Sequence, residues 1–440
     1  MRRQAPDDGD LQPLRLRHNV TWVFVGQAVY LASQLGIVFV LSPTPEYVGQ
    51  FALGLAIAGP VFFLLGLELP VLLSSDAERH YSFNEYLALS LTTAPLSVAI
   101  VLGVASIGNF EGAAATVIAG VAISKVVETT GFLLHGLFQQ RERMDRVAKS
   151  LFLKGPLGLV ALTITVEATN SVALGVLALT GVWAVVLIGY DIPTAVRMLR
   201  NPERESSSWS LIRPRGSLRR RGRLAWIALP LSAARGTAAL GATIPRLLVE
   251  RSLGTTQLGI FAAIASVNRI LDLFSSAVGK SVVPRLARYH VEGKRGAFVG
   301  IVARVAAMAA ALGALGVLAA ALFGESILRL VFGEEYARGE VLTIVVLAGA
   351  LNVLSKPLTS ALIAVRYLRV RFVIIALSVA AIAITALMAV PDHGLVGAAW
   401  SLVAGAAVRS GGSAVVVGFA VRRRNTIESG GGEPRRASGS

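Results

Sequence analysis

Apolar residues along this chain fall in long runs separated by short polar gaps. A helix rises about 1.5 Å per residue, so roughly 20 apolar residues cross the ~30 Å hydrocarbon core of a bilayer. Runs of that length predict twelve transmembrane helices, at 20–41, 48–73, 87–107, 113–138, 151–166, 172–192, 224–249, 254–283, 297–323, 339–363, 372–390 and 395–421. The first run is longer than the apolar core of a signal peptide, lacks a small-residue cleavage site and is followed by further spans, so it reads as a retained helix. The fold class is an all-α polytopic membrane protein. Six spans precede the longest connection, 193–223, and six follow it, which divides the chain into an N-lobe (20–192) and a C-lobe (224–421). Polar residues 1–19 precede them, and a Gly/Ser-rich tail, 422–440, has the composition of a disordered segment.

Charge in the gaps sets the expected topology. One set of loops carries Arg79; Arg141, Arg143, Arg146 and Lys149; a basic run from Arg197 to Arg223; Arg285, Arg288, Lys294 and Arg295; and Arg366, Arg369 and Arg371. The alternate loops, such as SPTPEY, NFEG, EATNS and PDHG, are nearly free of Lys and Arg, with Arg251, Arg329 and Arg338 as exceptions. The positive-inside rule then puts both termini in the cytoplasm. The basic linker 193–223 would also favour anionic lipid headgroups.

Composition agrees with the pattern. The 440 residues are 54% hydrophobic and 15% charged, with a mean hydropathy of +0.66, far from a soluble domain. The formal net charge of +16 is spread over alternate loops instead of one aromatic-interleaved basic domain, which argues against a nucleic-acid partner. There is no cysteine, hence no disulfide, thiolate nucleophile or Cys-ligated metal. The five histidines are scattered, so no cofactor or metal site is expected. Prolines lie inside several spans, among them Pro60, Pro95, Pro156, Pro230, Pro245 and Pro357, each removing one intrahelical hydrogen bond.

An internal repeat supports the two halves. Tyr47-Val48-Gly49-Gln50-Phe51-Ala52 matches Gln257-Leu258-Gly259-Ile260-Phe261-Ala262, and each is followed at the same distance by a short polar loop, 74–86 and 284–296. A shift of 210 residues therefore maps one half on the other in the same orientation, a parallel repeat.

Charges inside the spans carry the functional expectation, because an ionised group near the bilayer centre costs about 2.5–3.5 kcal/mol even on lenient scales and normally faces a polar interior. By depth the central set is Lys125, Glu128, Arg235, Arg269, Asp272 and Arg409, with Glu68, Lys280, Arg304 and Lys356 nearer the expected cytoplasmic side. Lys125 with Glu128 and Arg269 with Asp272 are i,i+3 neighbours on one helix face and can neutralise each other. Structural ion pairing is the competing account of both. Arg235 and Arg409 have no partner nearby in sequence. Together these residues describe a water-filled cavity that receives an anion, and the planar fork of Arg suits phosphate. Proton or sodium coupling would run through Glu68, Glu128 or Asp272. No P-loop, HExxH or GxSxG occurs and the loops are too short for a catalytic domain, so an enzyme is not expected.

Tyr47-Val48-Gly49-Gln50-Phe51-Ala52-Leu53, then LELPVLLSSDAERHYSFNEYLALSLTT (67–93), LGIFAAIASV, VVPRLARYHVEGKRGAF, ILRLVFGEEYARG and HGLVGAAWSLVAG resemble the Wzx-type oligosaccharide flippases. Their superfamily also holds the lipid II flippase MurJ and the multidrug and toxin extrusion antiporters. The resemblance covers about 20–421. It implies two six-helix lobes forming a V around a central cavity, and movement of a polyprenyl-pyrophosphate-linked oligosaccharide between leaflets by alternating access. Lys125, Arg235, Arg269 and Arg409 match the cationic cavity such flippases carry. The implied partners are lipid-linked oligosaccharide, membrane lipids, and the polysaccharide polymerase and glycosyltransferases of surface-polysaccharide assembly. The chain departs from MurJ in having no arginine in the first span and Glu68 in the second, which speaks against a peptidoglycan precursor. Two other readings stay open: a cation-coupled multidrug antiporter of the same fold, and a non-transporting scaffold for polysaccharide assembly acting through the linker and tail.

Overall fold

The computed structural model describes residues 16–76, 78–200, 212–271, 286, 288–289, 292, 294–364 and 367–429. They are helical almost throughout. In chain order the helices are α1 (Leu16–Leu41), α2 (Pro45–Leu65), α3 (Leu69–Ser75), α4 (Phe83–Ile107), α5 (Gly112–Gln140), α6 (Met144–Thr169), α7 (Val172–Val186), a π turn (Leu187–Asp191), α8 (Ile192–Leu199), α9 (Leu218–Leu253), α10 (Thr255–Ser266), α11 (Arg295–Phe332), α12 (Gly339–Ala364) and α13 (Leu368–Ser429). Among the described residues, ten helices are long and apolar enough to cross a membrane. The last of these, Arg369–Phe419, holds two of the expected spans. They are separated at Gly394, whose φ of 56° and ψ of −128° are non-helical and suit a residue without a Cβ. The expected span 254–283 is described only as far as Leu271, where α10 leads into it.

The chain folds as two compact units. The first comprises 1–263 with Val331–Tyr336, and the second Ile264–Leu330 with 337–440. In the first unit α2 packs against α9, α5 and α4, while α1 lies on α6 and α6 on α7. Leu69, Leu73, Phe83, Tyr86, Leu133, Leu137, Phe138 and Leu224 form one buried core between α3, α4, α5 and α9. In the second unit α12 packs along α13, and Leu286, Phe298, Val302 and Ala361 form a smaller core.

Local chemistry sets the helix ends. Ser82 and Glu85 form a capping box at the start of α4, satisfying otherwise orphaned N–H groups. The second expected span is broken in two: Leu67 and Glu68 take positive φ values of 56° and 45° between α2 and α3. Pro70 sits in the first turn of α3, where its missing N–H would have no helical partner anyway.

The repeat motifs meet. A Cβ on Gly49 would collide with the carbonyl oxygen of Thr255, and a Cβ on Gly259 would collide with that of Pro45. Under the 210-residue shift Pro45 becomes Thr255 and Gly49 becomes Gly259, so α2 and α10 exchange equivalent contacts. Glycine at both positions lets the backbones cross this closely.

Candidate functional site

Two of the four expected cations lie in each unit. In the first, Lys125 Nζ sits 2.5 Å from Glu128 Oε2 on α5, and Tyr30 of α1 donates its hydroxyl to Glu128 Oε1 at 3.0 Å. The i,i+3 spacing thus produces a pair whose carboxylate is also held by a second helix. Arg235 of α9 is placed differently from the sequence expectation. It has a partner, but one 167 positions away (235 − 68) on the broken second span: Arg235 Nε lies 3.1 Å from Glu68 Oε1. The left-handed turn at Glu68 ends α2 and turns this carboxylate towards α9. Arg235 also stacks over Phe63, 5.0 Å from the ring centroid. Its side chain remains 58% exposed, with the guanidinium oriented by Glu68 and Phe63.

In the second unit, Arg409 of α13 donates to Asn352 Oδ1 at 3.1 Å and to Ser378 Oγ at 3.2 Å. Here too a cation expected to lack a partner has neutral hydrogen-bond acceptors, from α12 and from the other half of α13. Arg269 is half-buried; Asp272, its expected i+3 partner, and Lys280 lie outside the described residues. Next to Arg269, Asn268 donates to the Val345 carbonyl of α12 at 3.1 Å.

The most enclosed charges are ones the depth count passed over. Lys154 Nζ of α6 is 2.5 Å from Asp191 Oδ2, with side-chain exposures of 7% and 0%. His135 Nε2 of α5 lies 3.8 Å from Asp191 Oδ1 and 3.0 Å from Ser150 Oγ. The Trp183 indole donates to the Lys154 carbonyl at 3.2 Å. Asp191 closes the π turn, a local widening of the helix that is common at functional sites. Its Oδ1 is buried without a hydrogen-bond partner. These residues sit near the ends of the expected spans 113–138, 151–166 and 172–192, outside the mid-bilayer set chosen by depth. The available signal was three ionisable residues in three consecutive apolar runs.

A further polar lock joins loop and helix. Arg143 donates twice to Asp145, at 2.9 Å each, with both side chains buried. Asn19 donates to the Glu142 carbonyl at 2.8 Å and accepts from Met144 N at 3.2 Å. Asn19 thus ties α1 to the start of α6 through backbone groups, while the Arg143–Asp145 pair braces the turn itself.

Known proteins can be set beside this arrangement. No family model matches the chain. An inward-facing multidrug-resistance transporter of the MATE family, in the MOP superfamily, superposes with a TM-score of 0.66 at 12% identity, covering 93% of this chain and 100% of that one. The fold is that of the MATE transporters. An outward-facing MATE structure matches with a TM-score of 0.56 at 14% identity, covering 93% of this chain and 95% of that one. A MOP-superfamily transporter from Pyrococcus furiosus, described as having a binding pocket whose reverse polarity suggests a different function, matches with a TM-score of 0.55 at 11% identity over 97% of this chain and 99% of that one. In sequence, the chain is 24% identical over 392 residues to the capsular polysaccharide biosynthesis protein CapF of Staphylococcus aureus, 87% of this chain and 94% of that protein. The chain is a multi-pass membrane protein with a MATE-type fold.

Proposed function

We propose that this protein flips a polyprenyl-pyrophosphate-linked oligosaccharide across the cytoplasmic membrane for surface-polysaccharide assembly, by alternating access. The observation that carries the reading is Arg235: a guanidinium inside a membrane-spanning helix, oriented by Glu68 and Phe63 yet 58% exposed. Such a group is organised to receive an anion, and its fork can donate two parallel hydrogen bonds to one phosphate. Lys125, Arg269 and Arg409 complete the cationic set, and the sequence relation to CapF supports a polysaccharide cargo. The pyrophosphate and any acidic sugars would sit on these cations while the lipid tail stays in the bilayer.

Proton or sodium coupling belongs to this proposal through Glu68 and Glu128, each already held by a cation, and through Asp272. Polysaccharide polymerase and glycosyltransferases are its expected partners. A multidrug antiporter on the same scaffold would handle cations and want an acidic cavity, the opposite of this balance.

The test is the amount and leaflet of lipid-linked oligosaccharide in a deletion strain, complemented with wild type or with an Arg235→Ala, Arg269→Ala double variant. Intermediate held on the cytoplasmic leaflet and cleared by wild type alone supports the flippase and its cation site. If intermediate never accumulates, and no related flippase covers the loss, the reading falls to the antiporter or the scaffold.

A further inference from the structure

On one end of the first unit, three connections converge: loop 76–82 before α4, the turn at 141–143 between α5 and α6, and residues 212–217 leading into α9. They enclose a cavity of about 530 Å³ whose lining includes Arg79, His80, Gln140, Arg141, Arg215 and Arg220. Glu85, the acid in this lining, and nearby Asp76 are already engaged. Glu85 receives Arg220 at 2.7 Å and caps α4 through the Ser82 backbone N–H at 2.9 Å. Asp76 accepts from the backbone N–H groups of His80 at 3.1 Å and Tyr81 at 3.2 Å, and from the Tyr86 hydroxyl at 3.3 Å. Arg220 is further held by the His80 carbonyl at 3.1 Å, and the Arg215 backbone N–H is anchored on the Asn84 carbonyl at 3.3 Å.

Arg79, Arg141 and Arg215, by contrast, have no carboxylate within ion-pair distance among the described residues. The Arg141 Nε is buried without an acceptor. Burial first, and then the neighbouring Arg79, hold the Arg141 pKa below the ordinary guanidinium value. Basic loops that only set topology would be solvated and mutually distant. Here three cations are gathered around one concavity, and one of them points a donor away from water. An anion with several acceptor oxygens relieves the repulsion among them.

We infer that this cavity is a binding site for a phosphate-bearing anion, separate from the cations assigned to transport. Arg79, Arg141 and Arg215 would grip its oxygens, and Gln140 would add a neutral donor. The ligand chemistry is a phosphate or diphosphate, whether on a lipid headgroup at the membrane surface or on a soluble molecule. The inference stands whether or not the chain flips a lipid-linked sugar.

The experiment uses the full chain in nanodiscs, with an Arg79→Gln/Arg141→Gln variant and an Arg215→Gln variant. The second changes an exposed side chain, and its fold does not depend on the cavity. Unliganded melting followed by intrinsic tryptophan fluorescence checks that each variant is folded. One arm titrates sodium pyrophosphate into phosphatidylcholine discs at fixed ionic strength. The other measures phosphatidylglycerol retained by each protein, by native mass spectrometry after extraction from mixed discs. A soluble source predicts saturable protection by pyrophosphate, with the midpoint raised at least tenfold in the double variant and less in Arg215→Gln. A lipid source predicts phosphatidylglycerol held by wild type and lost in the same order, with no pyrophosphate protection. Both effects together indicate a site that accepts either. Identical pyrophosphate midpoints and identical lipid retention in wild type and both folded variants would overturn the inference.

Discussion

Replacing Lys154 with methionine strands a carboxylate in the interior of the first unit. Asp191 is 0% exposed and Lys154 Nζ, 2.5 Å away, is its ion-pair partner. His135, at 3.8 Å, is already engaged with Ser150, and Asp191 Oδ1 has no hydrogen bond to fall back on. Removing one member of a buried pair costs about 3–5 kcal/mol, because the remaining charge is uncompensated, whereas replacing both by apolar residues of similar volume is often neutral or better. Taking about 2 °C per kcal/mol for a cooperative unit near 250 residues, Lys154→Met lowers the melting temperature by roughly 6–10 °C. Lys154→Met/Asp191→Leu recovers most of that loss. The measurement is thermal unfolding of detergent-purified protein by intrinsic fluorescence; with no cysteine in the chain, thiol-reactive dyes report nothing. A single variant that melts within about 2 °C of wild type, or a double variant no better than the single, refutes the claim that this pair is a desolvated lock.

Three further outcomes are expected. Gly49→Val and Gly259→Val each drive a side chain into the other helix's backbone, costing at least the 1–3 kcal/mol of ordinary overpacking, and both lose monodispersity on size exclusion to the same degree. Arg235→Gln touches a largely exposed side chain, so its ion pair is worth less than about 1 kcal/mol and melting stays within about 2 °C; clearance of lipid-linked intermediate nonetheless falls at least tenfold if the proposed function holds. For Asp76, burial alone would raise the carboxyl pKa, but the hydrogen bonds from His80 and Tyr81 outweigh it and hold the group below its ordinary value. A carboxylate whose folded pKa is depressed contributes stability that is whole above its unfolded value of about 3.9 and is lost as pH falls through the folded one. Hydrogen exchange at the His80 and Tyr81 amides, corrected for intrinsic rate, should therefore accelerate at low pH in wild type and be fast at every pH in Asp76→Ala, which keeps no side-chain acceptor.

The helices were legible because a bilayer writes its thickness into the sequence. The runs 20–41, 113–138 and 339–363 correspond closely to His18–Leu41, Gly112–Gln140 and Gly339–Ile363. What depth could not give was pairing across distance. Arg235 meets Glu68 because two residues at positive φ break the second span, and Lys154 meets Asp191 through a π turn that no periodicity announces. The Lys125–Glu128 pair was readable because both members lie on one helix, one turn apart. In the second span, a glutamate two residues before Pro70 was the visible trace of the break.

The reciprocal contact of Gly49 and Gly259 has a symmetry of its own. When two surfaces present the same pair of positions to each other, the contact is isologous, the kind a symmetric dimer makes with its own copy. Here both copies lie in one polypeptide, so the crossing of α2 and α10 has the form of a homodimer interface held within a single chain. Each glycine answers to a backbone carbonyl of the opposite repeat. Neither position is free to drift alone.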